Sequence, residues 1–592
     1  MWAPRRNRRP TAMKHPTILT ALFLALVPPL CGQSPDPLSL LPERCHFVVQ
    51  CPTWKSLLAG LDGTRVARLL ADPKLVPAAA TLGRVLVDDL KGVPEGLLPL
   101  LGTALSEHAA LLTLGMDFAD LGSAEPRLRA ALVITPKDKD SALFGLLTGE
   151  LPALLAKTVQ YEDVVIDGVT FRQPQDAGLL GTAPVRVGDH VVVLFAQDGK
   201  PGLTRLFGER GQGFGPRRDV LPKGVVSAWV DLSALMTLVG RRLSQDAADD
   251  RARAAITKAL ELSGLAGLKS ATWSVAARAP YLVDEYQLTQ DPRQRGLSEL
   301  ILPGTVAPRL GELLPPDSQD FLVSPLALDR GYELVARVLE TLAPMGVPPR
   351  AELEQRAAEF LKVRLKEDLL DALGGELLVV KRRRASTPAE DEEGDAEAPG
   401  RLSLMMADAD GCYGFAVRDG AAFGAALEKV VRGRGLHAGR KSSEHQGVKV
   451  FRLDLFGQLQ LHYCVTDQVF LLGLGAAGGE DLRAVLDQAA ARKAGQPAPA
   501  LRPTVAERVA VAGKDWHILN VANHSGIMGM LSSQVQRVDK MLAALGGEQP
   551  KTLTEMSAAL ATLSALFKEH QLEDRVSVTR RTPTGLQILN VW

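Results

Sequence analysis

Apolar residues along this chain switch between a strand-like and a helix-like spacing, and the switch points recur. Leu40-Leu41-Pro42 opens onto the compact apolar run His46-Phe47-Val48-Val49, which reads as a buried strand. Trp54-Lys55-Ser56-Leu57-Leu58 then takes up the helical period, and that pattern ends near Leu70-Ala71-Asp72-Pro73. A second version starts at Leu314-Pro315-Pro316-Asp317, runs through Phe321-Leu322-Val323 and enters a helix at Gly331-Tyr332-Glu333-Leu334-Val335. After the first opening, a helical region over 76–101 and strands at 109–114, 128–134 and 190–195 are expected. Asp167-Gly168 between two β-branched runs over 164–171 predicts a hairpin. After the second opening, strands are expected at 377–380, 413–417, 447–451 and 467–472. Each series closes on a strand (225–232; 516–521), then helices (through 262; through 567), then a hairpin (around 272–288; around Pro583-Thr584-Gly585).

The separations between the two series are nearly constant. Asp140 and Asp419, Phe144 and Phe423, Gly168 and Gly447, and Leu203 and Leu482 share one offset in numbering, 279. Asp189 and Asp467 differ from it by one. Asp140 and Asp419 both stand where a helix cap is expected. The reading is an α+β fold of two similar tandem units, 39–300 and 301–592, each with a mostly antiparallel sheet flanked by helices. One segment has no counterpart. Residues 385–400, including Glu390-Asp391-Glu392-Glu393-Gly394-Asp395, lack apolar periodicity and read as a disordered acidic loop in the second unit.

Residues 1–32 stand outside this pattern. Arg5, Arg6, Arg8, Arg9 and Lys14 precede a short apolar run from Thr17 to Val27, the layout of a secretory signal peptide. Translation from Met13 would give an equally normal leader. Cleavage after Gly32 is expected, placing the mature protein in the periplasm or outside the cell. Leu30 and Pro28 do not suit a lipoprotein signal at Cys31, so no lipid anchor is expected. Without the five basic leader residues, 63 positive charges face 68 negative ones, which disfavours nucleic acid as a partner. No later apolar stretch reaches the ~20 residues of a transmembrane helix. Four cysteines remain, too few for a disulfide-stapled scaffold; Cys412 and Cys464 lie on two strand-like runs, open to a cross-strand bridge or to two buried thiols.

The Leu-Pro opening with its strand and helix, the Leu-Leu-Ala-Asp-Pro ending, and the Asp-x-x-x-Phe, Gly-Val-x-x-Phe and Asp-x-Val units together resemble a family of exported bacterial proteins known only as a domain of unknown function. The resemblance covers most of residues 39–592. It implies export and an α+β repeat, and it supplies no activity and no site residues.

Candidate chemistry is sparse. Gly473-Leu474-Gly475-Ala476-Ala477-Gly478 follows a strand and precedes a helix, as a dinucleotide fingerprint does, but no second strand with a terminal acid follows ~20 residues on. A tight strand-to-helix turn is the preferred reading. His437 and His445, and His517 and His524 near Asp515, lack metal-site spacing. Asp408 and Asp410 could share a strand face, yet turn and solvent roles are commoner for such a pair. No His-Glu-x-x-His, Gly-x-Ser-x-Gly or Ser-x-x-Lys pattern occurs. No catalytic, cofactor-binding or metal-ligating residue is therefore assigned, and no cofactor is expected. The expected function is a non-catalytic envelope interaction or ligand-binding module with an unknown protein or envelope component as partner. The alternative is an extracytoplasmic hydrolase whose active site is assembled between the two halves.

Overall fold

The computed structural model describes residues 36–75, 104–119, 127–138, 142–156, 159–175, 181–208, 213–245, 249–294, 296–300, 309–382, 411–455, 459–513, 515–523 and 551–592, with positions 77, 78 and 100 besides. The leader, the acidic segment 385–400, most of 76–101, Asp140, Asp408, Asp410 and His524 lie outside them. The fold is α+β, and every strand pairing among the described residues is antiparallel.

The chain forms two compact units that do not follow its halves. Unit 1 holds the chain up to Asp62, Leu70–Val230, and a stretch ending at Thr562. Unit 2 holds Gly63–Leu69, Asp231–Leu531 and Leu563–Trp592. Residues 231–300 thus pack with the second series of elements, not with the first.

In unit 1, β1 (Phe47–Pro52) is followed by α1 (Trp54–Gly60), as the change of period predicts. β2 (Ala109–Ala119), β3 (Arg127–Pro136), β7 (His190–Ala196), β6 (Val185–Val187) and β8 (Val226–Asp231) complete its main sheet in the order β8-β1-β2-β3-β7-β6. β4 (Tyr161–Ile166) and β5 (Val169–Pro174) form a separate hairpin. Its turn residues Asp167 and Gly168 have φ of 48° and 74°, the left-handed pair that matches the twist of two-residue hairpins. The core is Leu38, Leu41, Val48, Phe171, Phe207, Phe214 and Trp229 with strand valines and leucines. A second cluster sets Phe144 against Ile134 of β3 and Val191 of β7.

Unit 2 takes in α2 (Arg65–Leu70) through Leu69, then α3 (Leu232–Gln245), α4 (Asp250–Ser263) and the hairpin of β9 (Leu268–Arg278) and β10 (Tyr281–Gln290). Asp249 caps α4 by accepting from Ala252 N, and Gly264 at φ 79° ends it in the left-handed conformation. Beyond these come β11 (Ser318–Pro325), α5 (Leu328–Thr341), α6 (Arg350–Leu361), β12 (Leu373–Arg382), β13 (Gly411–Val417) and α7 (Gly420–Gly433). The rest of the unit is β14 (Lys441–His445), β15 (Val448–Leu455), β16 (Leu459–Val465), β17 (Val469–Leu474), α8 (Gly475–Lys493), α9 (Pro503–Ala512), β18 (Ile518–Asn523), the end of α10 (Lys551–Glu569), β19 (Asp574–Thr582) and β20 (Gly585–Val591). The pairings run β9-β10-β20-β19-β18-β11-β12-β13-β17-β16-β15-β14. The core is aliphatic, centred on Val323, Leu378, Val380, Leu471, Leu482, Val485 and Val576.

The segment β8-β1-β2-β3-β7-β6 pairs in the same sequence as β18-β11-β12-β13-β17-β16. Positions related by the constant offset fall in like surroundings. Phe144 and Phe423 are both buried against strands, Phe423 with its ring 4.9 Å from that of Phe470. Gly168 and Gly447 both have φ of 74° and both follow a residue at positive φ in a hairpin turn. The two Leu-Pro openings close alike: Cys45 Sγ donates to Pro42 O at 3.2 Å, and Ser318 Oγ to Pro315 O at 2.7 Å.

Candidate functional site

The glycine-rich turn is built for close packing. β17 ends at Leu474 and α8 begins at Gly475, whose φ is 72°. A Cβ on Gly473 would lie 2.3 Å from Gly478 O, and one on Gly478 would lie 2.5 Å from Gly411 O. A Cβ on Gly479 would lie 2.8 Å from the His462 ring. The glycines let the first turn of α8 press onto β13 and β16. Gly475→Ala should therefore cost about 1–2 kcal/mol through left-handed strain, read as a lower urea midpoint. Calorimetry with NAD should show no heat of binding before or after the change; saturable binding lost in the variant would restore the dinucleotide reading.

The histidines are held singly. His445 Nε2 lies 2.8 Å from Asp487 Oδ1, which also accepts from Gln446 Nε2 at 2.8 Å. His437 is exposed in the short turn Leu436–Gly439. His517 Nδ1 accepts from Arg581 N at 3.2 Å, and burial lowers its pKa, so the neutral ring serves the backbone. Among the described residues no three His, Cys, Asp or Glu side chains are grouped to hold a metal. Cys412 and Cys464 are buried thiols on β13 and β16, the two strands flanking β17. Two strand spacings separate them by about 10 Å, beyond disulfide reach. Burial pushes both thiols up, Cys464 to about 12, so neither is a ready nucleophile.

What the linear pattern did not suggest is a cleft of about 510 Å³ in unit 2. Its walls are the end of α4 (Lys258, Glu261, Leu262), Arg293, Gln294, Gly296, Glu299 and Leu300, the first half of α5 (Asp329, Arg330, Glu333, Leu334, Arg337), and Lys366 with Asp371. The volume is that of a small-molecule site, but the lining is mostly charged. Glu333 accepts from Arg350 at 3.0 and 3.2 Å and lies 3.7 Å from Lys366. Arg350 also donates to Glu354 at 2.6 Å, and Glu354 accepts from the Tyr332 hydroxyl at 2.7 Å. Hydrogen bonding from Arg350 holds the Glu333 carboxyl below its usual range; Tyr332 and then Arg350 do the same for Glu354. Asp371 keeps Lys366 protonated by raising its pKa. In sequence, Asp329, Arg330, Glu333 and Arg337 look like an ordinary solvated helix face. The signal that could have found them is the i, i+3, i+7 register of Arg330, Glu333 and Arg337 on one side of α5.

No described helix is long and apolar enough to cross a membrane. No family model matches the chain, and no curated protein does. Among solved structures, three crystal forms of TP0453 align over 44, 44 and 43% of this chain and 80, 81 and 81% of theirs. Identities are 11, 11 and 10%, and TM-scores 0.21, 0.23 and 0.21, too low to carry a fold or a function.

Proposed function

We propose that this chain is an exported, non-catalytic binding module, built from two copies of one α+β unit, whose ligand occupies the cleft of unit 2. The duplication is supported by the matched strand pairings and the matched turns at Gly168 and Gly447. Export is supported by the leader pattern over positions 1–32. The observation that carries the binding reading is the chemistry of the lining. Among the described residues it contains no Ser, Thr, Cys, His or Tyr. Glu333 is held ionised, whereas a general acid at neutral pH needs a carboxyl pushed up. Lys366 is held protonated and so is no nucleophile. Such a wall can hold a charged ligand and has no group poised to transform it.

The test is a panel of chromogenic esters, glycosides and peptides, run beside native mass spectrometry of the exported protein. No turnover above a heat-denatured control is expected. A small-molecule adduct should be present and drop at least ~10-fold in Glu299→Trp, where an exposed side chain becomes a bulky plug. Turnover abolished by Glu333→Gln would replace this reading with the hydrolase.

A further inference from the structure

We infer that the cleft recognises a ligand with two anionic groups, carboxylate or phosphate, spaced like side chains two helical turns apart; this rests on the binding role proposed above. The lining holds equal numbers of acidic and basic side chains, which by itself would predict no preference. The pairing breaks that balance. Glu261 lies 2.8 Å from Lys258, Asp371 3.4 Å from Lys366, and Asp329 3.7 Å from Arg418. Glu333 is taken by Arg350 and Lys366. Arg350 and Arg418 reach in from outside the lining, so the acids are neutralised partly by cations that do not face the cleft. Arg293, Arg330 and Arg337 remain, all exposed and none in an ion pair, against Glu299 as the one unpaired acid among the described lining residues.

Geometry then sets the spacing. Arg330 and Arg337 stand at i and i+7 on α5, two turns along one face, or about 10.5 Å at the helical rise. Glu333, midway between them, is drawn off to Arg350 and cannot quench both. A guanidinium presents a planar donor fork suited to bidentate contact with a carboxylate or phosphate. Arg293 supplies a third cation from the 291–294 turn, where its own amide donates to Asp291 Oδ1 at 2.9 Å. Leu262, Leu300 and Leu334 line the same cleft and suit an apolar spacer between the two anionic ends.

The experiment is titration calorimetry of the full mature chain at low salt with four probes: sebacate, octane-1,8-diyl bisphosphate, 1,10-decanediol and decane-1,10-diamine. Both anionic probes should bind, the tighter one naming the acid type, and the diol and the diamine should not. Arg330→Gln and Arg337→Gln should each weaken both anionic probes at least ~10-fold, and raised salt should weaken them further. Both arginines are exposed, so folding is retained, checked by an unchanged melting temperature. If the diol or the diamine binds as well as the anionic probes, and the arginine variants change nothing, the anion inference falls and the binding role stands. If none of the four binds and the exported protein carries no adduct, both fall.

Discussion

Tyr281→Ala should lower the stability of unit 2 by about 3–5 kcal/mol, the usual cost of removing a buried aromatic ring, read as a fall in its urea midpoint. Tyr281 opens β10 in the main core, and two guanidiniums lie on its ring, Arg65 Cζ at 4.9 Å and Arg508 Cζ at 5.4 Å from the centroid. Arg508 is 1% exposed and Arg65 8%. Arg508 donates to Thr504 O and Gln571 O, both at 2.8 Å, but its Nε is buried without an acceptor, as is Arg65 Nη1. Burial, and after it the charge of Arg65, lowers the Arg508 pKa, so this cation is already held against a desolvation cost. The aromatic face is the compensation the site supplies to both. Alanine would remove the face and open a cavity together. Tyr281→Phe keeps the ring and loses only the 2.5 Å bond from the hydroxyl to Glu507, for about 1–2 kcal/mol. If alanine cost no more than phenylalanine, the stacked cations would not be part of what holds the unit together.

Cutting the chain at its apparent midpoint should be more damaging still. A fragment 301–592 is expected to aggregate or lack a cooperative melt, whereas 231–592, which lacks Gly63–Leu69 of unit 2 but keeps β10, should be the more soluble and melt the more cooperatively. β20 pairs with β10 from Val283↔Val591 to Thr289↔Gly585, so removing β10 bares a strand edge in an apolar sheet. It also removes Tyr281 and Val283 from the core. Asp284 goes too, and with it the acceptor for Asn590 Nδ2 at 2.9 Å and Trp592 Nε1 at 2.5 Å. Size-exclusion chromatography and circular-dichroism melts compare the two fragments directly. An equally stable 301–592 would mean that the second half folds without the hairpin.

Local physics makes much of the fold readable from the chain alone. Asp167-Gly168 announces its hairpin because a two-residue turn needs positive φ at both positions. Asp419 announces α7 because a carboxylate is the favoured acceptor for the free amide of Ala422. The constant offset between the two series is likewise a property of order along the chain. The glycine run shows where such signals stop. Gly473, Gly475 and Gly478 have the same letters whatever they face, and only the structure shows Gly473 and Gly478 pressed against backbone.

The sequence by itself determined strands, helices, hairpin turns and the order of elements, because each depends on short-range spacing and on the φ a residue can adopt. Only the tertiary structure decided that residues 231–300 belong with the second unit, that Arg65 and Arg508 share one tyrosine ring, and that Arg293, Arg330 and Arg337 face one cleft. These depend on which apolar faces bury against each other and on where paired charges leave others unpaired. Such choices join side chains far apart along the chain, and no local period encodes them.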